Sequence, residues 1–133
     1  MIALRLDHLA VTVSDMERSL RFYRDLLGLR EVNRHHEPGG TLRSIWLDIG
    51  GAVLMIEQTE EPARRVQGVG AGPFLLALEA DPPVRVALER SLALSGFPVE
   101  ARTEHTVYLR DPEGNRVALS SYPLRGGHKE TTE

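Results

Sequence analysis

LDHLAVTVSDMERSLRFYRDLLG, residues 6–28, reads as a strand followed at once by a helix. Residues 5 to 13 alternate, with Leu9, Val11 and Val13 on one face and His8, Ala10 and Thr12 on the other, as a half-buried strand requires. Ser14 and Glu17 stand in the S-x-x-E spacing of a capping box. Met16, Leu20, Tyr23 and Leu27 then recur at helical spacing until Gly28, so a helix is predicted over about 15–27. The same order returns later in the chain. Leu75-Leu76-Ala77-Leu78-Glu79-Ala80 reads as a strand, Asp81 can cap a helix with Pro82 at its first position, and Val84, Leu88, Leu92 and Leu94 lead to Gly96. Laying His8 over Leu75 keeps the two copies in step. A duplication of this kind builds one site between two pseudo-symmetric halves, so the polar residues at equivalent inward positions decide its chemistry.

Working outward, strands are predicted at Leu29–Asn33, Ser44–Ile49 and Ala52–Glu57, the last two joined by a hairpin turn at Gly50-Gly51. Arg34 to Gly40 is polar and reads as a loop. In the second copy the strands fall at Phe97–Ala101, Thr106–Arg110 and Arg116–Ser121, with Asp111-Pro112-Glu113-Gly114-Asn115 a strong turn signal. Each copy is therefore β-α-β-β-β. Module one spans about 4–58, a Gly- and Pro-punctuated linker about 59–72, and module two about 73–123, all within one domain over 1–125; residues 126–133 form a polar tail. Module one carries about six more residues than module two, around His35 to Thr41. This insertion is either a lid or specificity loop, or a loop that merely varies.

Composition narrows the function. With 133 residues, 41% of them hydrophobic and 26% charged, the chain is of the ordinary globular class. No apolar run approaches the roughly 20 residues that cross a bilayer, and no signal-peptide pattern opens the chain, which gives a cytoplasmic expectation without membrane association. A formal net charge of -3 gives no reason to expect nucleic acid. There is no cysteine, so any metal must take nitrogen and oxygen donors. Lys129, the sole lysine, lies in the polar tail, which argues against Schiff-base chemistry.

The segments LDHLAVTVSDMERSLRFYRDLLGL and VYLRDPEGNRVALSSYP resemble the vicinal oxygen chelate superfamily, which includes glyoxalase I, extradiol dioxygenases, fosfomycin-resistance enzymes and bleomycin-resistance proteins. The likeness covers about residues 4 to 123. It implies an α+β fold of two tandem βαβββ modules forming a cupped mixed sheet, helices outside and a ligand or metal on the concave side. It also implies histidine ligands on the modules' first strands and a glutamate or other polar ligand on each last strand. His8 matches the first histidine. Leu75 stands where the second would be, and Ala118 where the D-P-x-G-N-x-x-E pattern supplies a glutamate.

The fourth position is open at this level. Ungapped alignment of the two turns puts Met55 there; a bulge or a hairpin of different length would put Glu57 there instead. His8 and Glu57 are thus the candidate metal ligands, an incomplete set, and Glu57 is also the candidate proton carrier. Plain readings compete: His8 as a hydrogen-bonded strand residue, Glu57 as a solvated strand end, His35-His36 as exposed loop. Alternation places Met55, Arg116 and Ala118 toward the cavity, with Trp46, Asp48, Leu75 and Tyr108 beside them as ligand-binding candidates, and Arg116 able to pair with an anionic group.

Three functions follow. The first is a binder of a small, partly aromatic or amphipathic molecule, of the bleomycin-resistance kind, with no tightly bound metal. The second is a divergent lyase or dioxygenase in which His8, Glu57 and one unassigned donor hold Fe, Mn, Ni or Zn, and the metal stabilises an enediolate or oxyanion. The third is a non-catalytic scaffold module. The resemblance also implies a homodimer.

Overall fold

The computed structural model describes residues 3–123, so the 126–133 tail lies outside the described residues. Two four-stranded mixed sheets form, each with a helical segment: an α+β fold in which the predicted repeat is realised twice. By its contacts the chain divides into a first unit, Met1–Gly68 with Asp111–Asn115, and a second, Val69–Arg110 with Arg116–Glu133.

In the first unit β1 (His8–Val13) pairs in parallel with β4 (Val53–Gln58). β4 runs antiparallel to β3 (Leu42–Asp48), and β3 antiparallel to β2 (Glu31–His36), giving the order β1-β4-β3-β2. The alternation read from the sequence decides the core. Ile45, Leu47, Leu54 and Ile56 all point to one face and are fully buried, as are Phe22 and Tyr23 from the helical segment. Each such side chain contributes about 1.5–3 kcal/mol by leaving water.

The β3–β4 hairpin turns at Gly50 and Gly51, both at positive φ (81° and 103°), as a two-residue turn matched to the strand twist needs. Asp48 Oδ1 accepts from Gly50 N (3.0 Å) and Gly51 N (3.3 Å). These N–H groups, with Arg30 beside Oδ2, hold its carboxyl below the ordinary carboxylate value. A Cβ on Gly51 would meet nothing within 4 Å, so Gly51→Ala pays only the backbone penalty. Urea denaturation should show a loss of about 1 kcal/mol, and no loss at all would mean that the turn changes type.

Several boundaries differ from the sequence reading. Asp15, not Ser14, caps the first helix, its side chain accepting from Arg18 N; Ser14 is drawn away by Glu113. The α-helix (α1, Met16–Leu20) gives way to a π-helical stretch, Arg21–Leu26, in which Leu27 N bonds Phe22 O at 2.9 Å. Widening the turn lets the adjacent Phe22 and Tyr23 both enter the core, edge to face at 4.8 Å. β2 runs to His36, so His35 and His36 are strand residues rather than loop. The extra residues lengthen the β2–β3 hairpin, which closes through Glu37 N to Thr41 O at 2.7 Å, instead of forming a lid. An edge strand with one solvated side tolerates so polar a sequence.

The second unit has the order β5-β8-β7-β6, from β5 (Leu76–Glu79), β6 (Ala101–Arg102), β7 (Thr106–Arg110) and β8 (Arg116–Ser120), with α2 spanning Pro82–Leu94. The strand expected over 97–101 shrinks to two residues because Phe97 N closes the helix onto Leu92 O and Pro98 has no N–H to give. Asp81 precedes α2 without a side-chain cap bond.

The D-P-E-G-N turn groups with the first unit. Asp111, 3% exposed, accepts from Glu113 N (3.0 Å) and Asn115 N (2.8 Å) at Oδ1, and from Tyr23 OH (2.7 Å) and Asn115 Nδ2 (3.0 Å) at Oδ2. Glu113 in turn accepts from Ser14 Oγ (2.9 Å) and Asp15 N (3.1 Å). Burial first, and Asp111 second, push the Tyr23 phenol well above its ordinary pKa. A pKa raised in the fold means stability that is intact below the unfolded tyrosine value of about 10 and is lost as pH climbs past it. Wild type should therefore lose more stability between about pH 8 and about pH 11 than Tyr23→Phe does. Equal losses in paired denaturation curves would remove Tyr23 from the account.

Candidate functional site

Each sheet has one face closed over its core and one face only partly covered. On the first sheet the strand register lays the partly covered face out in rows: His8–Val53–Asp48, then Ala10–Met55–Trp46–Asn33, then Thr12–Glu57–Ser44–His35. Trp46 is half-buried in the middle row. Its Nε1 donates to Ser44 Oγ at 3.0 Å, and the His35 ring lies 4.8 Å from it at a 48° tilt. With its N–H satisfied inside the strand, the indole offers a ligand its apolar π surface, next to the thioether of Met55.

The second sheet repeats the pattern in its own register: Arg110 opposite Arg116, then Ala101–Tyr108–Ala118–Ala77, then Thr106–Ser120–Glu79. Tyr108 is half-buried, Ala118 fully buried and Leu75, just before β5, 41% exposed. The Arg116 guanidinium stacks on Phe74, 4.6 Å from the ring centroid.

These registers resolve the position left open by the sequence. Trp46 faces Met55 as Tyr108 faces Ala118, and β4 pairs with β1 and β3 without a bulge. Met55 is therefore the counterpart of Ala118, and Glu57 that of Ser120. His8 pairs with Val53 while Glu57 pairs with Thr12, four places along the strand, or roughly 13 Å. The register does not bring the two candidate ligands together. His8 Nδ1 lies 2.7 Å from Asp7 Oδ2 on an exposed strand start. Asp48 is engaged by its own turn. Among the described residues no three His, Cys, Asp or Glu side chains are grouped so as to hold a metal ion, and thioether, methyl and isobutyl groups stand where nitrogen or oxygen donors are required. The residues present do not fit a resident metal.

Sequence reasoning missed the Asp111–Glu113 network, Phe74 and a cavity of about 220 Å³ in the first unit. That cavity lies at the Thr12 end of β1, between Thr59, Glu61, Arg64 and Glu113. The D-P-E-G-N signal announced an aspartate able to bond its own backbone; nothing local announced Tyr23 as its partner across 88 residues.

Among known proteins, residues 5–119 match the profile of the Glyoxalase/Bleomycin resistance protein/Dioxygenase superfamily. The chain is 30% identical over 132 residues to virulence protein STM3117 of Salmonella typhimurium, covering 92% of this chain and 87% of that one. Its structure resembles a glyoxalase/dioxygenase from Nostoc punctiforme (TM-score 0.73, 21% identity, 86% of this chain and 88% of that one). It also resembles the fosfomycin resistance protein FosX from Mesorhizobium loti (TM-score 0.74, 19% identity, 96% and 99%). At those identities the structural likeness speaks for the fold alone. With the duplicated module, the D-P-x-G-N turn and a profile match across nearly its whole length, the chain belongs to the glyoxalase/bleomycin resistance protein/dioxygenase superfamily.

Proposed function

We propose that this protein binds a small, partly aromatic or amphipathic molecule against its partly covered sheet faces, without a catalytic metal. The observation that carries the reading is the register. Met55, Ala118 and Leu75 occupy places where a metal enzyme of this family needs donors, while Trp46, Met55 and Tyr108 present half-buried aromatic and apolar surface on those same faces. Trp46 is the chain's sole tryptophan, so its emission reports directly on the proposed surface. Compounds that raise the melting temperature should also shift or quench Trp46 emission, and Met55→Ala should weaken both effects together. Stabilising ligands that leave Trp46 emission untouched would place binding elsewhere and reject the reading.

One observation favours the second reading, a divergent metal-dependent lyase or dioxygenase. Asp7 Oδ2 lies 2.7 Å from His8 Nδ1, where a carboxylate accepts the Nδ1 proton and so favours the tautomer with Nε2 free for a metal. Untagged protein, reconstituted in turn with Fe, Mn, Ni and Zn, should retain far less than one ion per chain. Stoichiometric retention lost in His8→Ala would restore the enzyme reading, with Glu57 its proton carrier.

We further place the protein in the cytoplasm as a homodimer. No helix among the described residues is long and apolar enough to cross a membrane. Leu6 (61%), Val86 (53%) and Leu94 (84%) leave apolar surface exposed that a second copy would cover. Light scattering at micromolar concentration should give twice the chain mass; a monomer alone would contradict it.

A further inference from the structure

We infer that the second sheet's open face recognises an oxyanion, carboxylate or phosphonate, borne by the bound molecule, with Arg116 as the residue that holds it. The inference rests on the small-molecule reading above and names the chemistry of what is bound.

Arg116 opens β8, directly opposite Arg110 on β7. Two guanidinium groups facing each other across an antiparallel pair repel, and such a pair is tolerated where anions neutralise it. Arg110 has its anion, Glu100, whose carboxylate lies at 3.1 and 3.3 Å from Nε. Arg116 has none: among the described residues no carboxylate pairs with it, and its Nε is out of contact with water without a hydrogen-bond acceptor. A half-buried charge in that state is costly unless something else compensates it. Phe74 supplies part of the compensation by stacking under the guanidinium plane at 4.6 Å. Phe74 restrains the group from one side, and the terminal nitrogens, which unlike Nε are not among the enclosed unpartnered atoms, are the donors a ligand would meet. An arginine so oriented is a fork matched to two oxygens of one oxyanion, a geometry that lysine cannot supply.

The surroundings define the rest of the molecule. Tyr108 sits on the same face one row along, opposite fully buried Ala118 in the strand register. It gives a phenol ring for an apolar or aromatic body and a hydroxyl able to donate to the second side of the oxyanion. The ligand class is thus an aromatic or branched aliphatic acid whose charged end meets Arg116 and whose body lies on Tyr108.

Benzoate, phenylphosphonate and neutral benzamide separate the possibilities by calorimetric titration of the intact protein. Benzoate or phenylphosphonate should bind at least tenfold more tightly than benzamide; the stronger of the two identifies the planar or the tetrahedral oxyanion. Arg116→Met should erase the preference, and Arg116→Lys should recover only part of it. Should Arg116→Met fold poorly, the Arg116 Nε–H resonance of wild type, followed during a benzoate titration, must move at saturation. Equal affinity for benzoate and benzamide, or an unchanged preference in Arg116→Met, overturns the inference while leaving small-molecule binding intact. Binding of none of the three overturns it as well, and if neutral aromatics then also fail to shift Trp46 emission, the binding reading falls separately.

Discussion

Asp111→Ala should lower stability by about 3 kcal/mol, roughly 10 °C in melting temperature for a chain of this size. The carboxylate is 3% exposed and receives four donors: two backbone N–H groups of its own turn, the Asn115 amide and the Tyr23 hydroxyl. Alanine leaves those donors buried or half-buried without acceptors, each worth about 1–3 kcal/mol before water or relaxation offsets part of the loss. Damage passes to Glu113, which the turn aims at Ser14 Oγ and Asp15 N, so the entry to α1 loosens with it. Asp111→Asn separates shape from charge. Its amide oxygen can keep both turn N–H bonds, and its NH2 can donate to the Tyr23 oxygen but confronts the Asn115 NH2. Chemical denaturation should therefore rank wild type above Asp111→Asn, and Asp111→Asn above Asp111→Ala. An alanine variant within about 1 kcal/mol of wild type would show that the network is solvated in solution.

This turn also marks where sequence reading stops. Local alternation was enough for β1, β3, β4, β7 and β8, because period-two patterns with Leu54, Ile56, Val117 and Leu119 inward admit one burial solution. The Gly50-Gly51 and D-P-E-G-N turns were legible because their residues need special backbone angles or bond their own amides. Other features depended on distant partners. Ser14 loses the cap to Asp15 since Glu113, 99 residues away, takes its hydroxyl. The π-helical stretch answers to packing of Phe22 and Tyr23 rather than to propensity. His35 joins a strand because Ser44 lies across from it.

The candidate site divides the same way. Residue types at His8, Leu75 and Ala118 could be read by overlaying the copies, yet choosing Met55 over Glu57 needed the observed pairing of Trp46 with Met55. Arg116 was visible as a cation near a turn. That its Nε has no hydrogen-bond acceptor among the described residues is a property of the folded sheet.

Gly114→Ala should cost about 3 kcal/mol, well beyond the roughly 1 kcal/mol expected at Gly51. Both glycines sit at positive φ, 92° and 103°, so both carry the same kind of backbone penalty for an L side chain. Space separates them. A Cβ at Gly114 would fall 2.9 Å from Arg65 Cγ, 3.0 Å from its Cβ and 3.1 Å from its Cα. The Cγ could swing aside, but the Cα is main chain, so either residues around 65 or the turn itself must shift. Moving the turn disturbs the Asp111 hydrogen bonds and displaces the start of β8, where Arg116 is set. Urea midpoints for the two alanine variants, measured side by side, decide the matter. If Gly114→Ala loses no more stability than Gly51→Ala, Arg65 does not pack on the turn in solution, and the 111–115 segment is held by its hydrogen bonds alone.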